Sequence, residues 1–137
     1  MHNEKGQALL IVTVILMCVT TISMAAAGLA AQSAKNELRD WRFIQARCAA
    51  DSGMELAKEK LVTYPMWTNG ADIEGPLDAS EPYVVIKTVT VTPLGSTPNP
   101  DGSTTETVKV DVIGACGNVT REEQATFSIV YYPQHWQ

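Results

Sequence analysis

Histidine is scarce in this chain. Only His2 and His135 occur, and neither stands at metal-ligand spacing from a cysteine or a carboxylate. No glycine-rich phosphate cradle and no G-x-S-x-G elbow is present. Cys48 and His135 could be considered as a thiol–imidazole pair, but no third group is evident to orient them. Nothing assembles a catalytic site, a metal site or a cofactor site, so the expectation is a protein that is not an enzyme. Ten Lys and Arg against fifteen Asp and Glu leave a net charge of −5. Phosphate-backbone binding needs clustered positive charge, so no nucleic acid partner is expected.

Charge is missing altogether from Gly6 to Ala34. A bilayer span needs about 20 predominantly apolar residues, and this run exceeds that. Backbone groups in hydrocarbon must satisfy one another, so the run is predicted to be helical. Thr13, Thr20, Thr21 and Ser23 can bond back to carbonyls one turn earlier. Small residues collect in its second half, at Ser23, Ala25, Ala26, Ala27, Gly28, Ala30 and Ala31. They permit close helix–helix approach, or they make an ordinary alanine-rich span, since alanine occurs on every face. A secretory signal normally has a shorter apolar core. Ala25-Ala26-Ala27 and Ala30-Ala31-Gln32 nonetheless offer small-residue cleavage sites, which would give a mature chain starting near Gln32. Lys5 on one side and Lys35, Arg39 and Arg42 on the other leave orientation undecided by charge.

From Lys35 to Val62 the pattern becomes amphipathic. Phe43, Ala46, Ala50, Met54, Ala57 and Leu61 recur at helical spacing and form one apolar stripe. Gly53 costs about 1 kcal/mol relative to Ala in a helix, so a packing reason is expected there. The two halves together predict a helix of about 55 residues, roughly 80 Å long. A domain of this size cannot bury it, so lipid or neighbouring subunits must. Tyr64-Pro65 ends it, because the residue before proline avoids the helical region.

Residues 64–82 are predicted to be a loop, with Met66 and Trp67 tucked onto the core. A period of two then marks three strands, over 83–92, 105–113 and 125–132. Val108, Val110 and Val112 point inward on the second, and Phe127, Ile129 and Tyr131 on the third. Residues 93–102 and 114–118 are turn regions. Asp101-Gly102 reads as a hairpin turn rather than a cation loop, and Asn118-Val119-Thr120 is a glycosylation triplet of the kind that arises by chance. His135 and Trp136 read as tail. The predicted class is α+β: a long N-terminal helix, first transmembrane and then amphipathic, packed on a small three-stranded antiparallel sheet. Three cysteines occur, with Cys18 inside the apolar run. In an exported domain Cys48 and Cys116 are the candidate disulfide; the alternative is two buried thiols that never meet.

Two stretches of the chain resemble the type IV pilins and pseudopilins. Lys5-Gly6 followed by Gln7-Ala8-Leu9-Leu10-Ile11-Val12 is similar to a prepilin peptidase site. The resemblance implies cutting after Gly6 on the cytoplasmic side and methylation of Gln7 as the new N-terminus. Residues 1–6 are then the leader, 7–34 the assembly half of the helix, 35–63 its amphipathic half, 64–82 a loop and 83–137 the sheet head. Ile44-Gln45-Ala46-Arg47-Cys48-Ala49-Ala50-Asp51-Ser52-Gly53-Met54-Glu55-Leu56-Ala57 resembles the corresponding helix of PilX-type minor pilins. The likeness covers roughly residues 4–62.

The implied partners are other pilin or pseudopilin subunits, the prepilin peptidase, and the inner membrane before assembly. The implied assembly residues are Leu9, Leu10, Ile11, Val12, Ile15 and Leu16, with Gly28 as a point where the helix loosens. Phe43, Ala46, Ala50, Gly53, Met54, Ala57 and Leu61 would dock the sheet. The pattern departs from that of major pilins in three ways. Gln7 replaces the usual Phe after the cut, Ile11 stands where most carry Glu, and the mid-helix Pro is missing. The missing Glu is a habit of PilX-type minor pilins and of the K-type tip pseudopilin. The other readings are a single-span anchored protein that binds through its sheet, an exported soluble adhesin freed by signal cleavage, and a main subunit of an atypical filament.

Overall fold

The computed structural model describes residues 2–133, with side chains described from Gly6 onward. Met1 and residues 134–137 lie outside the described residues, and with them the tail assigned to His135 and Trp136. One helix, α1, runs from His2 to Thr63 and so takes in residues 2–6 of the expected leader. Two compact units divide the chain near Arg39.

In the first unit the apolar side chains are exposed throughout. Four of its hydroxyls bond back to the helix backbone, as the sequence predicts. Thr13 Oγ1 donates to the carbonyls of Leu9 and Leu10 at 3.0 and 2.8 Å, and Ser23 Oγ to that of Val19 at 2.8 Å. Thr20 and Thr21 do the same toward Met17. Gly28 is helical, and no atom stands within 4 Å of where its side chain would begin.

In the second unit the last turns of α1 end where Tyr64-Pro65 predicts, with Tyr64 N–H donating to the Lys60 carbonyl at 2.7 Å. A 3₁₀ turn follows at Gly70–Ile73. The sheet has four strands rather than three: β1 (Gly75–Pro76), β2 (Val84–Pro98), β3 (Thr104–Cys116) and β4 (Val119–Tyr131), in that spatial order and all antiparallel. The extra strand is two residues paired with Val85 and Ile86, too short to carry a period. The long strands also exceed their predicted bounds. β2 runs through Pro93 because register shifts between Ile86 and Thr88 and between Pro93 and Gly95 absorb the irregularity. β4 starts at Val119 rather than Ala125.

The turns follow their chemistry. At the β2–β3 tip Gly102 has φ +83° and donates its N–H to the Asn99 carbonyl. Asp101 accepts from both the N–H and the hydroxyl of Ser103, at 3.0 and 2.6 Å. These bonds, the hydroxyl's first, hold its carboxyl below the usual range. At the two-residue β3–β4 turn only Gly117 takes positive φ, at +61°.

The core lies between the α1 stripe and one sheet face. Ala50, Met54, Ala57 and Leu61 meet Ile86, Val89, Val108, Val110 and Val112, with Trp67 folded in. Ala46 and Ala49 meet Val84 and Cys116. The expected inward valines are all buried, and Phe127 and Ile129 pack partly buried against the same core. Met66 is exposed, contrary to expectation; only Trp67 is tucked in, its indole N–H donating to Asp72 at 3.2 Å.

Glycine sets how close the layers come. A Cβ on Gly53 would stand 2.7 Å from a Val112 methyl and 3.1 Å from one of Ile86. A Cβ on Gly114 would collide with the Ala46 carbonyl oxygen and the Ala50 amide nitrogen. The first collision is with side chains that can shift, the second with helix backbone that cannot. Overpacking a core costs about 1–3 kcal/mol. Gly114→Ala is therefore expected to lower the thermal midpoint of the full chain in detergent, followed by Trp67 fluorescence, while Gly28→Ala leaves it unchanged or higher. Equal midpoints for Gly114→Ala and the parent would refute the close approach.

Candidate functional site

The expected assembly residues stand on α1 with nothing of this chain against them. Leu9, Leu10, Ile11, Val12, Ile15 and Leu16 are between 53% and 71% exposed. Gly6 and Gln7 precede them on the same helix, and Gly6 is unobstructed. This helix is long and apolar enough to cross a membrane, and none of its most apolar window is buried. Uncharged side chains exposed over so many turns need lipid or another protein as solvent.

Of the expected docking residues the structure brings together six: Ala46, Ala50, Gly53, Met54, Ala57 and Leu61. Phe43 is a correction. It is 38% exposed, outside the core, and the Arg121 guanidinium lies 3.7 Å above its ring centroid. A cation on a ring face is attracted by the ring quadrupole. The stripe thus ends in a cation–aromatic pair with β4 instead of a buried aromatic. Ala49, which is fully buried, and Gly114 are the contacts missed by periodicity. An alanine beside another alanine adds little to a hydrophobic pattern, and a glycine adds nothing.

Cys48 and Cys116 are both free thiols here, and of the two only Cys116 is buried as the alternative to a bridge expects. Cys48 is exposed, whereas Cys116 is buried with its sulfur 3.0 Å from Gln45 Oε1. Among the described residues no cluster of three His, Cys, Asp or Glu side chains converges.

Where α1 meets the first half of β4 the surface is charged. Arg47 lies 4.0 Å from Asp51, both largely exposed, so this pair adds little stability. Glu123 faces Asp51 across the elements, and one of its carboxyl oxygens is buried without a partner. The hydrogen bond that a protonated Glu123 donates to the Asp51 carboxylate pushes the Glu123 pKa up. Burial and the Asp51 charge push the same way, and Arg47 opposes them.

A carboxyl whose pKa is raised on folding binds its proton more tightly in the folded state. Its stabilising contribution is complete below the ordinary glutamate range and is lost as pH rises through the raised value. Glu123→Gln removes this loss. The thermal midpoint of the parent, relative to that of Glu123→Gln, is expected to fall as pH is raised from about 4 to 7. A constant difference across that range would show that the Asp51–Glu123 contact does not form.

No protein-family model matches the chain, and neither a curated protein nor a solved structure does.

Proposed function

We propose that this chain is a non-enzymatic structural subunit, a minor pilin or pseudopilin, of a type IV pilus or a type II secretion-like filament. One observation carries the reading. The uncharged, wholly exposed half of α1 continues as the same helix into a half whose small-residue stripe is covered by an antiparallel sheet. A helix built this way has two solvents, and a filament subunit needs both. It is stored with the apolar half in lipid and later packed against the helices of other subunits.

In this reading the N-terminus is cytoplasmic and the span lies in the inner membrane. The prepilin peptidase cuts after Gly6, and Gln7 becomes the methylated N-terminus. Leu9, Leu10, Ile11, Val12, Ile15 and Leu16 exchange lipid for neighbouring helices, and the sheet is displayed outward. Ile11 favours a minor or tip-proximal place. A carboxylate there would answer the N-terminal amine of a neighbour, since a buried charge is tolerated in hydrocarbon only when paired. Isoleucine offers that amine nothing.

Intact mass and N-terminal fragmentation of the protein from its native membrane test the pathway. The expected chain begins with methylated Gln7. A chain still beginning at Met1 would indicate a protein that stays anchored, and one beginning near Gln32 a secreted domain; either ends the filament reading. Ile11→Glu is expected to raise the amount of subunit recovered in sheared filaments. Unchanged recovery would show that the missing carboxylate does not limit incorporation.

A further inference from the structure

The two edges of the sheet are built differently. On the β2 side β1 covers Val85 and Ile86, and Glu74 Oε1 accepts the Val89 N–H at 2.9 Å. Pro93 and Pro98 remove two further donors from that edge. These are the devices that keep an edge strand from pairing with another chain. The β4 edge has none of them over Gln124–Tyr132: no proline, no charge, no bulge and, among the described residues, no covering strand.

The free hydrogen-bonding groups of β4 follow from its register. The turn Gly117–Asn118 joins Cys116 and Val119 directly, which makes them a pair exchanging both backbone bonds. The register to β3 then holds without a shift. Odd-numbered residues of β4 therefore turn their N–H and C=O toward β3, and Thr126, Ser128 and Val130 turn theirs away from the sheet. Beside this edge lies an apolar groove of about 550 Å³, between Leu61 and Val62 of α1 and Phe127, Ile129 and Tyr131 of β4. Val62, which lines it, is 70% exposed.

We propose that β4 pairs antiparallel with β4 of a second copy of this chain, about a two-fold axis through Ser128. The sequence of the strand is self-complementary in that register. Ser128 meets Ser128, and Thr126 meets Val130 on the outer face. Phe127 meets Ile129 and Ala125 meets Tyr131 on the core face. Each outward-turned amide and carbonyl of Thr126, Ser128 and Val130 gains a partner. Phe127 of the second copy comes to lie beside Ile129, on the side of the Leu61–Val62 groove. Arg121, Glu122 and Glu123 fall beyond the overlap, so no like charges are opposed. The pairing joins two four-stranded sheets into one of eight strands, and it stands independently of how the N-terminus is processed.

The test uses the full chain in detergent with Cys18 and Cys48 replaced by Ala. Facing residues of a bonded antiparallel pair have Cα atoms about 5.5 Å apart, within disulfide reach. Under mild oxidation Ser128→Cys is expected to form a covalent dimer. Thr126→Cys alone should form no covalent dimer, yet should cross-link when mixed with Val130→Cys. Like charges directly opposite one another are destabilising, so Ser128→Lys should lower the dimer fraction measured by native mass spectrometry about tenfold. Its side chain is exposed, so the circular dichroism of the sheet should be unchanged. A monomeric parent, a Ser128→Lys variant that dimerises like the parent, or Thr126→Cys cross-linking as well as Ser128→Cys would each overturn the pairing. None of these outcomes bears on whether the chain begins at Gln7.

Discussion

The close approach of α1 to the sheet is the contact on which the second unit depends. It is made by residues with almost no side chain: Ala46, Ala49, Ala50 and Gly53 on the helix, Gly114 on β3. Ordinary side chains at these positions would hold the layers apart, and Val112 and Ile86 could not then reach the helix surface. The cost is that each contact buries little apolar area. The compensation comes from Met54 and Leu61 on α1 and from the valine ladder of β3, which fill the space where the helix lies farther from the strands. A core of this kind tolerates loss of volume better than gain. The Gly70 approach to the Val89 backbone repeats the same device at the loop that closes the end of the core.

The first unit is governed by a different constraint. Its side chains have no partner outside the helix among the described residues, and Thr13, Thr20, Thr21 and Ser23 return their hydroxyls to the helix backbone. That arrangement leaves no hydrogen-bonding group of Thr13, Thr20, Thr21 or Ser23 needing water. It is compatible with lipid and equally with a packed helix bundle. A change of apolar surroundings therefore carries no polar desolvation cost at these positions, which is what a segment moving between lipid and protein requires.

Much of the fold was legible because its signals are periodic or steric. Tyr64-Pro65 stops the helix, the i+3/i+4 stripe finds six of its seven docking positions, and Val108, Val110 and Val112 alternate cleanly. The failures have physical causes. The early turns of β4 carry Arg121, Glu122 and Glu123, whose roles are a ring stack and a carboxyl contact across elements, so no apolar alternation marks that half as strand. Phe43 fits the helical period, but Arg121 draws it into a surface pair. β1 exists only through its pairing with β2. Bulged β2 hid its length behind Pro93. The two cysteines belong to one small domain, yet one faces out and the other faces Gln45, and no sequence spacing encodes that. For the candidate assembly site, sequence alone located the uncharged run, because absence of charge over so many residues is itself the signal.

A small unit with an alanine–glycine interface stands close to the limit at which a single core supports itself. Anything that binds only the folded form adds stability by mass action. For this chain the surfaces available for such binding are uncharged: α1 from Gly6 to Ala34, and β4 from Gln124 to Tyr131. The charged residues lie elsewhere: in the first five residues, on α1 from Lys35 onward, in the loop after α1, on β2 and β3 and the tip between them, and at the start of β4. This separation of a solvated face from two bare ones is hard to reconcile with a subunit that works alone. A monomer would gain solubility from charges spread over both, and the sequence supplies fifteen carboxylates without placing one on either bare surface.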